Sequence, residues 1–366
     1  MIVTRIACKD FRNLRAVDLA PAPGLNILCG DNAQGKTNLV EAIWLFSGAR
    51  SFRAGSDASM IQFDADSASI EVHYRAGGRE QSAAIRLGPG KRVWRNEIEL
   101  SSVTELAGGF PCVVFSPSHL SLVKDGPEVR RRFLDTLLGQ VSPRLIPLLG
   151  DYRKTVTQRT ALLRDIPRHS QLLDMLPVYD EMLARQGGRI ARARNSLVRQ
   201  LADAAADYYD EIAGRRERLS LSLKTSFTVL EGEDPDSRYQ RYLAILEQAR
   251  QEDLRLGMTT AGPHRDDLEI FLDGHPIRLY GSQGQQRSAL LALKLAECRV
   301  LGDALGEEPV ILLDDVLSEL DPARQSFILS HLGGRQIFIT ACEPTLLTGA
   351  DPGARIYRVK NGEISA

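Results

Sequence analysis

A chain of 366 residues is long enough for two domains, each with a core of its own. Its 46 basic and 47 acidic side chains nearly cancel, which excludes a global electrostatic pull on nucleic acid, and no window reaches the roughly 18 consecutive apolar residues of a membrane helix. Five scattered cysteines, Cys8, Cys29, Cys112, Cys298 and Cys342, contain no CxxC pair, so neither a zinc site nor a disulfide framework is expected and a reduced cytosol fits.

The first residues, MIVTRIACKDF, have neither the basic stretch nor the long apolar core of a signal peptide, so a soluble, cytoplasmic protein without a membrane partner is expected. Up to residue 120 the pattern predicts short strands. TRIACKDFRNL and AVDLAPAPGLNIL read as strands broken at Pro21, Pro23 and Gly24. SIEVHYRAGGREQSAAIRLG reads as a hairpin turning at Ala76-Gly77-Gly78, and VVF, residues 113 to 115, as a short buried strand ended by Pro117. From 121 to 256 the period turns helical. Ile190, Leu197, Leu201, Ala204 and Tyr208 fall on one stripe, and Arg185, Arg189, Arg192 and Arg199 on another. LSLSLKTSFTV, near 220 to 230, alternates and is predicted as strand. From 257 to 366 strand and helix signals alternate: a hairpin in DLEIFLDGHPIRLY, a helix after Gly284, the buried strand VILLDD, the strand QIFIT and a closing hairpin at Asn361-Gly362. The expected organisation is one α/β domain built from both ends of the chain, 1–120 and 257–366, with a mainly helical domain, 121–256, inserted between them.

ILCGDNAQGKTNLVEAIWLF, residues 27 to 46, matches G-x-x-x-x-G-K-[ST] as Gly30, Asp31, Asn32, Ala33, Gln34, Gly35, Lys36 and Thr37. An apolar strand precedes the match and a helical pattern follows it. Such a loop points successive backbone N–H groups at phosphates, and the positive helix end adds to the attraction. Lys36 would reach the β and γ phosphates of ATP, and the Thr37 hydroxyl would coordinate Mg²⁺. A phosphate loop that hydrolyses needs a second carboxylate for the metal, usually at the end of a buried strand. VILLDD supplies it: Asp314 would orient or bind the Mg²⁺ shell, and Asp315 could polarise the attacking water as general base. Ser318, Glu319 and Asp321 follow in LSELD. Upstream, Ser282, Gly284 and Gln285 of GSQGQQRSALLALKLAE stand at the head of a periodic helix, where a hydroxyl and backbone donors can face an anion.

The order of these motifs resembles the ATP-binding-cassette ATPases. The resemblance implies a P-loop NTPase head in which Ser282, Gly284 and Gln285 of one copy close over the nucleotide held by Lys36 of another, so that ATP joins a homodimer and hydrolysis releases it. The 246 residues from Lys36 to Ser282 exceed what a transporter ATPase needs, and the insertion is too short for the long coiled coils of chromosome-maintenance ATPases. FRNL at 11 to 14, FSPSHLSLVKDGPEVRRRFLD at 115 to 135, TTAGPHRDDL at 259 to 268 and LLDDVLSELD together are similar to the RecF family of bacterial DNA-repair proteins, over essentially the whole chain.

That resemblance implies nucleotide contacts for Arg12, Asn13 and Asn38 and a weak, slow, DNA-stimulated ATPase. It further implies binding to duplex DNA, single-strand gaps and ss–ds junctions, work with RecO and RecR to help RecA load at those gaps, and a cytoplasmic, nucleoid-associated place in a bacterium. This chain departs from the wider pattern in three places. Asp315 stands where most cassette ATPases have Glu, Thr340-Ala341 where transporters have a switch histidine, and Ser118-His119 where an acidic pair is expected.

Between residues 126 and 200 there are 14 Lys or Arg against 7 Asp or Glu. Such a region is either a localised anion-binding face or a solvated helical surface. Arg130, Arg131 and Arg132, with Arg185, Arg189, Arg192 and Arg199, are the candidate DNA contacts, reading backbone rather than bases. TTAGPHRDD has one histidine and no further ligand nearby, which makes a poor metal site and suits a structural or interdomain ion-pair role.

Overall fold

Alternating apolar residues make Ile2–Phe11 the strand β1, and a tight turn at Arg12-Asn13 returns the chain as β2 (Leu14–Leu19). The computed structural model in which these elements are seen describes residues 1–53, 55–342 and 353–365. The apolar run Leu25–Cys29 forms β3, buried at every position as befits a strand covered on both faces, and Lys36–Trp44 follows as helix α1. Ala68–Ala76 (β4) and Arg79–Leu87 (β5) are joined through Gly77-Gly78, both left-handed (φ +56° and +72°), the two-residue turn whose twist matches that of the strands. Arg92–Arg95 (β6), Ile98–Leu100 (β7) and the fully buried Cys112–Phe115 (β8) come next.

Helices then dominate: Ser121–Lys124 (α2), Pro127–Val141 (α3), Leu145–Asp165 (α4) and the 38-residue Leu176–Ala213 (α5). The stripe Ile190, Leu197, Leu201, Ala204 and Tyr208 is buried along α5. After β9 (Leu219–Lys224), α6 (Pro235–Leu256) opens on proline, with the Asp234 carboxylate accepting from the N–H groups of Asp236 and Ser237. Asp267–Leu272 (β10), His275–Pro276 (β11) and the short Ile277–Tyr280 (α7) lead to α8 (Gln283–Leu305). Val310–Leu313 (β12), Pro322–His331 (α9), Ile337–Ala341 (β13), Arg355–Lys360 (β14) and Glu363–Ser365 (β15) complete the described elements.

By compactness the chain divides into Met1–Leu120 with Leu290–Ala366, and Ser121–Ala289. The first unit contains an antiparallel sheet, β2-β1-β4-β5-β6-β7, and a second sheet, β15-β14-β3-β13-β12-β8. In the latter β14, β3, β13, β12 and β8 all run parallel, so the ends of β3, β13, β12 and β8 open on one edge, where open α/β sheets place their ligands. Phe46, Phe110 and Tyr74 pack with aliphatic residues of both sheets into one core. The second unit packs α4, α5 and α6 around Tyr152, Leu183, Tyr242 and Leu246, beside the three-stranded sheet β11-β10-β9.

Three expectations are corrected. LSLSLKTSFTV is strand only as far as Lys224: the Thr225 hydroxyl accepts from Phe227 N–H, Ser226 Oγ accepts from Gly262 N–H at 2.7 Å, and Phe227 stacks on Tyr242, which takes the chain out of the sheet. The second arm of the hairpin in DLEIFLDGHPIRLY is two residues long, because Pro276 has no N–H to extend the ladder and the chain turns into α7. The second compact unit also runs past residue 256, the end expected for the insertion, because β9 pairs with β10 along six residues. Among the described residues no helix is long and apolar enough to cross a membrane.

Candidate functional site

The loop between β3 and α1 is built by backbone geometry that side chains restrict. Gly30 has φ +155°, and a Cβ there would fall 2.2 Å from the Val359 carbonyl oxygen, so only glycine allows β3 and the loop to pass so close to β14. Gly35 precedes α1 without a capping side chain, leaving the first N–H groups of the helix to face the loop. Lys36 lies back across the loop, its Nζ donating to the carbonyls of Gly30 and of Asp31 (3.0 Å). Asn13 closes the loop from the β1–β2 turn: its Nδ2 donates to Ala33 O at 3.2 Å, and its Oδ1 accepts from Asn38 Nδ2 at 2.6 Å. Gln34 is tied from the other side by the Asn361-Gly362 turn, whose N–H groups donate to its Oε1 (2.6 Å) and carbonyl (2.9 Å). Asp31 and Asn32 lie exposed on the rim.

Thr37 Oγ1 donates to Asp314 Oδ1 at 2.7 Å, which joins the start of α1 to the end of β12. Thr340, at the end of β13, donates to the same oxygen at 3.2 Å and accepts from Asp315 N–H at 2.8 Å. Burial raises the Asp314 carboxyl above its ordinary value, while the hydroxyls of Thr37 and Thr340 and the charge of Arg53 pull the other way. This hydroxyl and carboxylate, both hard oxygen donors, fit a divalent cation such as Mg²⁺. Asp315 is exposed and left-handed (φ +53°), a conformation that aspartate tolerates better than most residues, and its carboxylate accepts from Ser318 Oγ at 2.9 Å. The end of β8 lies beside them, with Asp314 N–H donating to Phe115 O at 2.9 Å and Ser116 Oγ 3.0 Å from Ser118 Oγ. His119 in this loop is neutral: burial, aided by the charge of Lys294, pushes its pKa down to about 3.

Glu41, Arg53 and Cys342 are site residues that the sequence reading missed, and Thr340, noted there only as standing in place of a switch histidine, turns out to bond Asp314 and Asp315. Glu41 is fully buried on α1 and accepts two bonds from Arg12 (3.0 and 2.7 Å), with Arg53 at 3.7 Å and Ser51 also bonded to it. A lone carboxylate inside the apolar run NLVEAIWLF was the available signal. Cys342 Sγ lies 4.0 Å from Lys36 Nζ and 3.5 Å from Asn32 Oδ1, and nothing in its surrounding sequence pointed there.

Arg12, Asn13, the loop 30–38, Asp314 and Asp315 are thus assembled within the first unit. Ser282, Gly284 and Gln285 belong to the second. There Ser282 and Gln285 form a reciprocal helix start: Gln285 Oε1 accepts from Ser282 N–H at 2.7 Å, and Ser282 Oγ accepts from Gln285 N–H at 3.2 Å, with Ser282 exposed.

The basic candidates separate by exposure. Arg130 is corrected: it is buried and binds Asp267 with two nitrogens (2.6 and 2.8 Å) and the carbonyls of Leu122 and Asp125, so its charge is unavailable to DNA. Arg131 is half-buried and donates to Asp266 O, and Arg132 is exposed beside Glu128. Arg185, Arg189, Arg192 and Arg199 are exposed on α5, with Arg185 over the Tyr239 ring and Arg199 4.0 Å from Glu231.

TTAGPHRDD is held by ion pairs inside the second unit, Arg194 to Asp266 and Arg130 to Asp267, while His264 bonds Tyr152 OH (2.9 Å) and Thr259 O (3.0 Å). Among the described residues no cluster of three or more His, Cys, Asp or Glu could hold a metal ion.

Residues 2–365 match the family model of the RecF/RecN/SMC N terminal domain. A DNA replication and repair protein RecF from Ruminiclostridium cellulolyticum is 37% identical over 343 residues, 93% of this chain and 92% of that protein; another from Acetivibrio thermocellus is 34% identical over 365 residues, 99% of each. Among solved structures, that of the recombination mediator protein RecF with ATP in the RecFOR pathway superposes with a TM-score of 0.90 at 33% identity, covering 100% of this chain and 97% of that one. The Smc head domain from Pyrococcus furiosus, 14% identical with a TM-score of 0.55 over 100% of this chain and 95% of that one, shares the fold. The α/β fold is that of the RecF and SMC ATPase head, and the chain belongs to the RecF family of DNA replication and repair proteins.

Proposed function

We propose that this chain binds ATP with Mg²⁺ in the loop Gly30–Thr37, pairs with a second copy when it does so, and in that paired form holds DNA at single-strand gaps and ss–ds junctions, where RecO and RecR act with it to load RecA. One observation carries the nucleotide part. The Thr37–Asp314 hydrogen bond brings together motifs 277 residues apart at the edge where the parallel strands end. The solved relative that binds ATP supports the same reading.

Lys36 and the N–H groups at the head of α1 would hold the phosphates, with Arg12, Asn13 and Asn38 bracing the loop. Thr37 and Asp314 would hold Mg²⁺, which supplies electrostatic stabilisation of phosphate charge. Asp315 would orient the attacking water. An aspartate reaches less far than the glutamate of most cassette ATPases, so turnover is slow and suits a switch better than an engine. Ser282, Gly284 and Gln285, outside the assembled loop, complete the site in the second copy.

Light scattering with ATP and Mg²⁺, followed by binding to gapped DNA, tests this. Wild type should dimerise and then bind the gap tightly, Ser282→Arg should bind nucleotide but stay monomeric, and Lys36→Met should lose the nucleotide response. A monomeric Ser282→Arg that turns over ATP at the wild-type rate would sink the proposal.

A further inference from the structure

The turn between α5 and β9 carries a carboxylate that the nucleotide chemistry does not use directly. After Ala213 the chain reverses through Gly214 and Arg215, both left-handed (φ +61° and +59°), and Arg218 is pinned by its N–H to Asp273 Oδ1 at 2.8 Å. Glu217, held inside this reversal and half-buried, accepts one hydrogen bond at each oxygen. The Tyr209 hydroxyl near the end of α5 donates to Oε2 at 2.8 Å, and the Gln285 side-chain amide donates to Oε1 at 2.7 Å. Gln285 in turn engages Ser282 through both its side chain and its backbone. A continuous set of bonds therefore runs from Tyr209 through Glu217 and Gln285 to Ser282, entirely within the second unit.

This set fixes one orientation of the Gln285 amide, because turning it over would set its NH₂ against the Ser282 N–H and its oxygen against a carboxylate. Bonds to an ionised acceptor are roughly twice as strong as neutral ones, so Glu217 dominates that choice. Tyr209 lies on the same helix as the exposed Arg185, Arg189, Arg192 and Arg199.

We propose that Glu217 is the positioning residue through which α5 sets the Ser282 turn, so that DNA held along α5 and nucleotide met by Ser282 influence each other. The proposal rests on the dimerisation and DNA binding argued above. Reciprocity follows, since whatever favours one geometry of the turn is favoured by it.

Three variants separate this link from a merely structural role: Glu217→Ala, which removes both bonds; Glu217→Gln, whose amide can still accept from Gln285 and donate to Tyr209; and Tyr209→Phe, which removes the hydroxyl that ties Glu217 to α5 and leaves the Gln285 bond in place. Each is assayed as the full chain for fluorescent ATP-analogue affinity, ATP-dependent light scattering, and turnover with and without gapped duplex. Glu217→Ala should keep analogue affinity yet need about tenfold more protein to dimerise, because of its two lost bonds the one from Gln285 is the charge-assisted bond that orients the Ser282 turn. Glu217→Gln should recover most of the dimerisation. Tyr209→Phe should dimerise and show basal turnover as wild type does, but lose most of the DNA-dependent increment. If Glu217→Ala and Tyr209→Phe both match a wild type that dimerises and responds to DNA, the link is wrong and the function above stands. If wild type does neither, both fall together.

Discussion

His264 shows how far a single side chain can be shifted by its surroundings. It packs against Tyr152 and bonds on both ring nitrogens, and burial pushes its pKa down to about 4 from an ordinary 6.5. The folded state therefore holds the ring neutral, while the unfolded chain takes up a proton as pH drops through 6.5. Stability contributed by the neutral ring is present above that value, falls between pH 6.5 and about 4, and changes no further below, for a total of at most about 3 kcal/mol. Replacing it by asparagine should lower stability at neutral pH, because Tyr152 loses a partner. It should also flatten the pH dependence by up to one proton across that window, as read by urea unfolding at a series of pH values. An unchanged slope would mean that His264 titrates in the fold as it does in water. Backbone geometry set by local sequence was legible at this scale, as the glycine loop from Gly30 to Thr37 between β3 and α1 was. Thr340 was not, because its partners Asp314 and Asp315 lie 26 and 25 residues away and only the pairing of β12 with β13 brings them to it.

Between elements, α4, α5 and α6 are joined by charge as well as by apolar packing. Arg159 on α4 is fully buried and donates to Asp180 on α5 (2.7 Å), Asp253 on α6 (2.6 Å) and Thr259 (3.0 Å). Asp180 also accepts from Arg250 at 3.0 Å, and Asp253 takes the N–H and hydroxyl of Thr260. The stretch TTAGPHRDD is thus fastened to three helices at once, an ion-pair role of the kind its lone histidine suggested. Asp180→Ala should cost roughly 3–5 kcal/mol, since it leaves a buried guanidinium short of a counter-charge. Thermal or urea denaturation would read this directly, and a loss below about 1 kcal/mol would mean that water reaches Arg159 freely. Element by element, the turns written in glycine and asparagine, Gly77-Gly78 and Asn361-Gly362, were readable because their chemistry is local. The end of β9 was not: what stops the strand is Ser226 meeting Gly262, a contact that alternation in LSLSLKTSFTV cannot foretell.

For the molecule as a whole, a net charge of −1 means that any affinity for DNA must come from a concentrated face. The excess of basic residues between 126 and 200 was visible in the sequence, but its distribution was not. Burial takes Arg130, Arg159 and Arg194 into ion pairs and leaves Arg185, Arg189, Arg192 and Arg199 outward on α5. If that face meets the phosphate backbone, each arginine that neutralises a phosphate releases counterions, and the logarithm of affinity falls with the logarithm of salt by about 0.9 per contact on duplex DNA. Reversing Arg189 and Arg192 to glutamate should therefore weaken duplex binding evenly across sequences and make the salt slope shallower by about two, measured by fluorescence anisotropy between about 50 and about 200 mM salt. Arg130→Gln is the internal contrast: it breaks a buried pair with Asp267, so it should lower the melting temperature and leave the slope of the folded protein where it was. A slope untouched by the double reversal would place the DNA on some other surface.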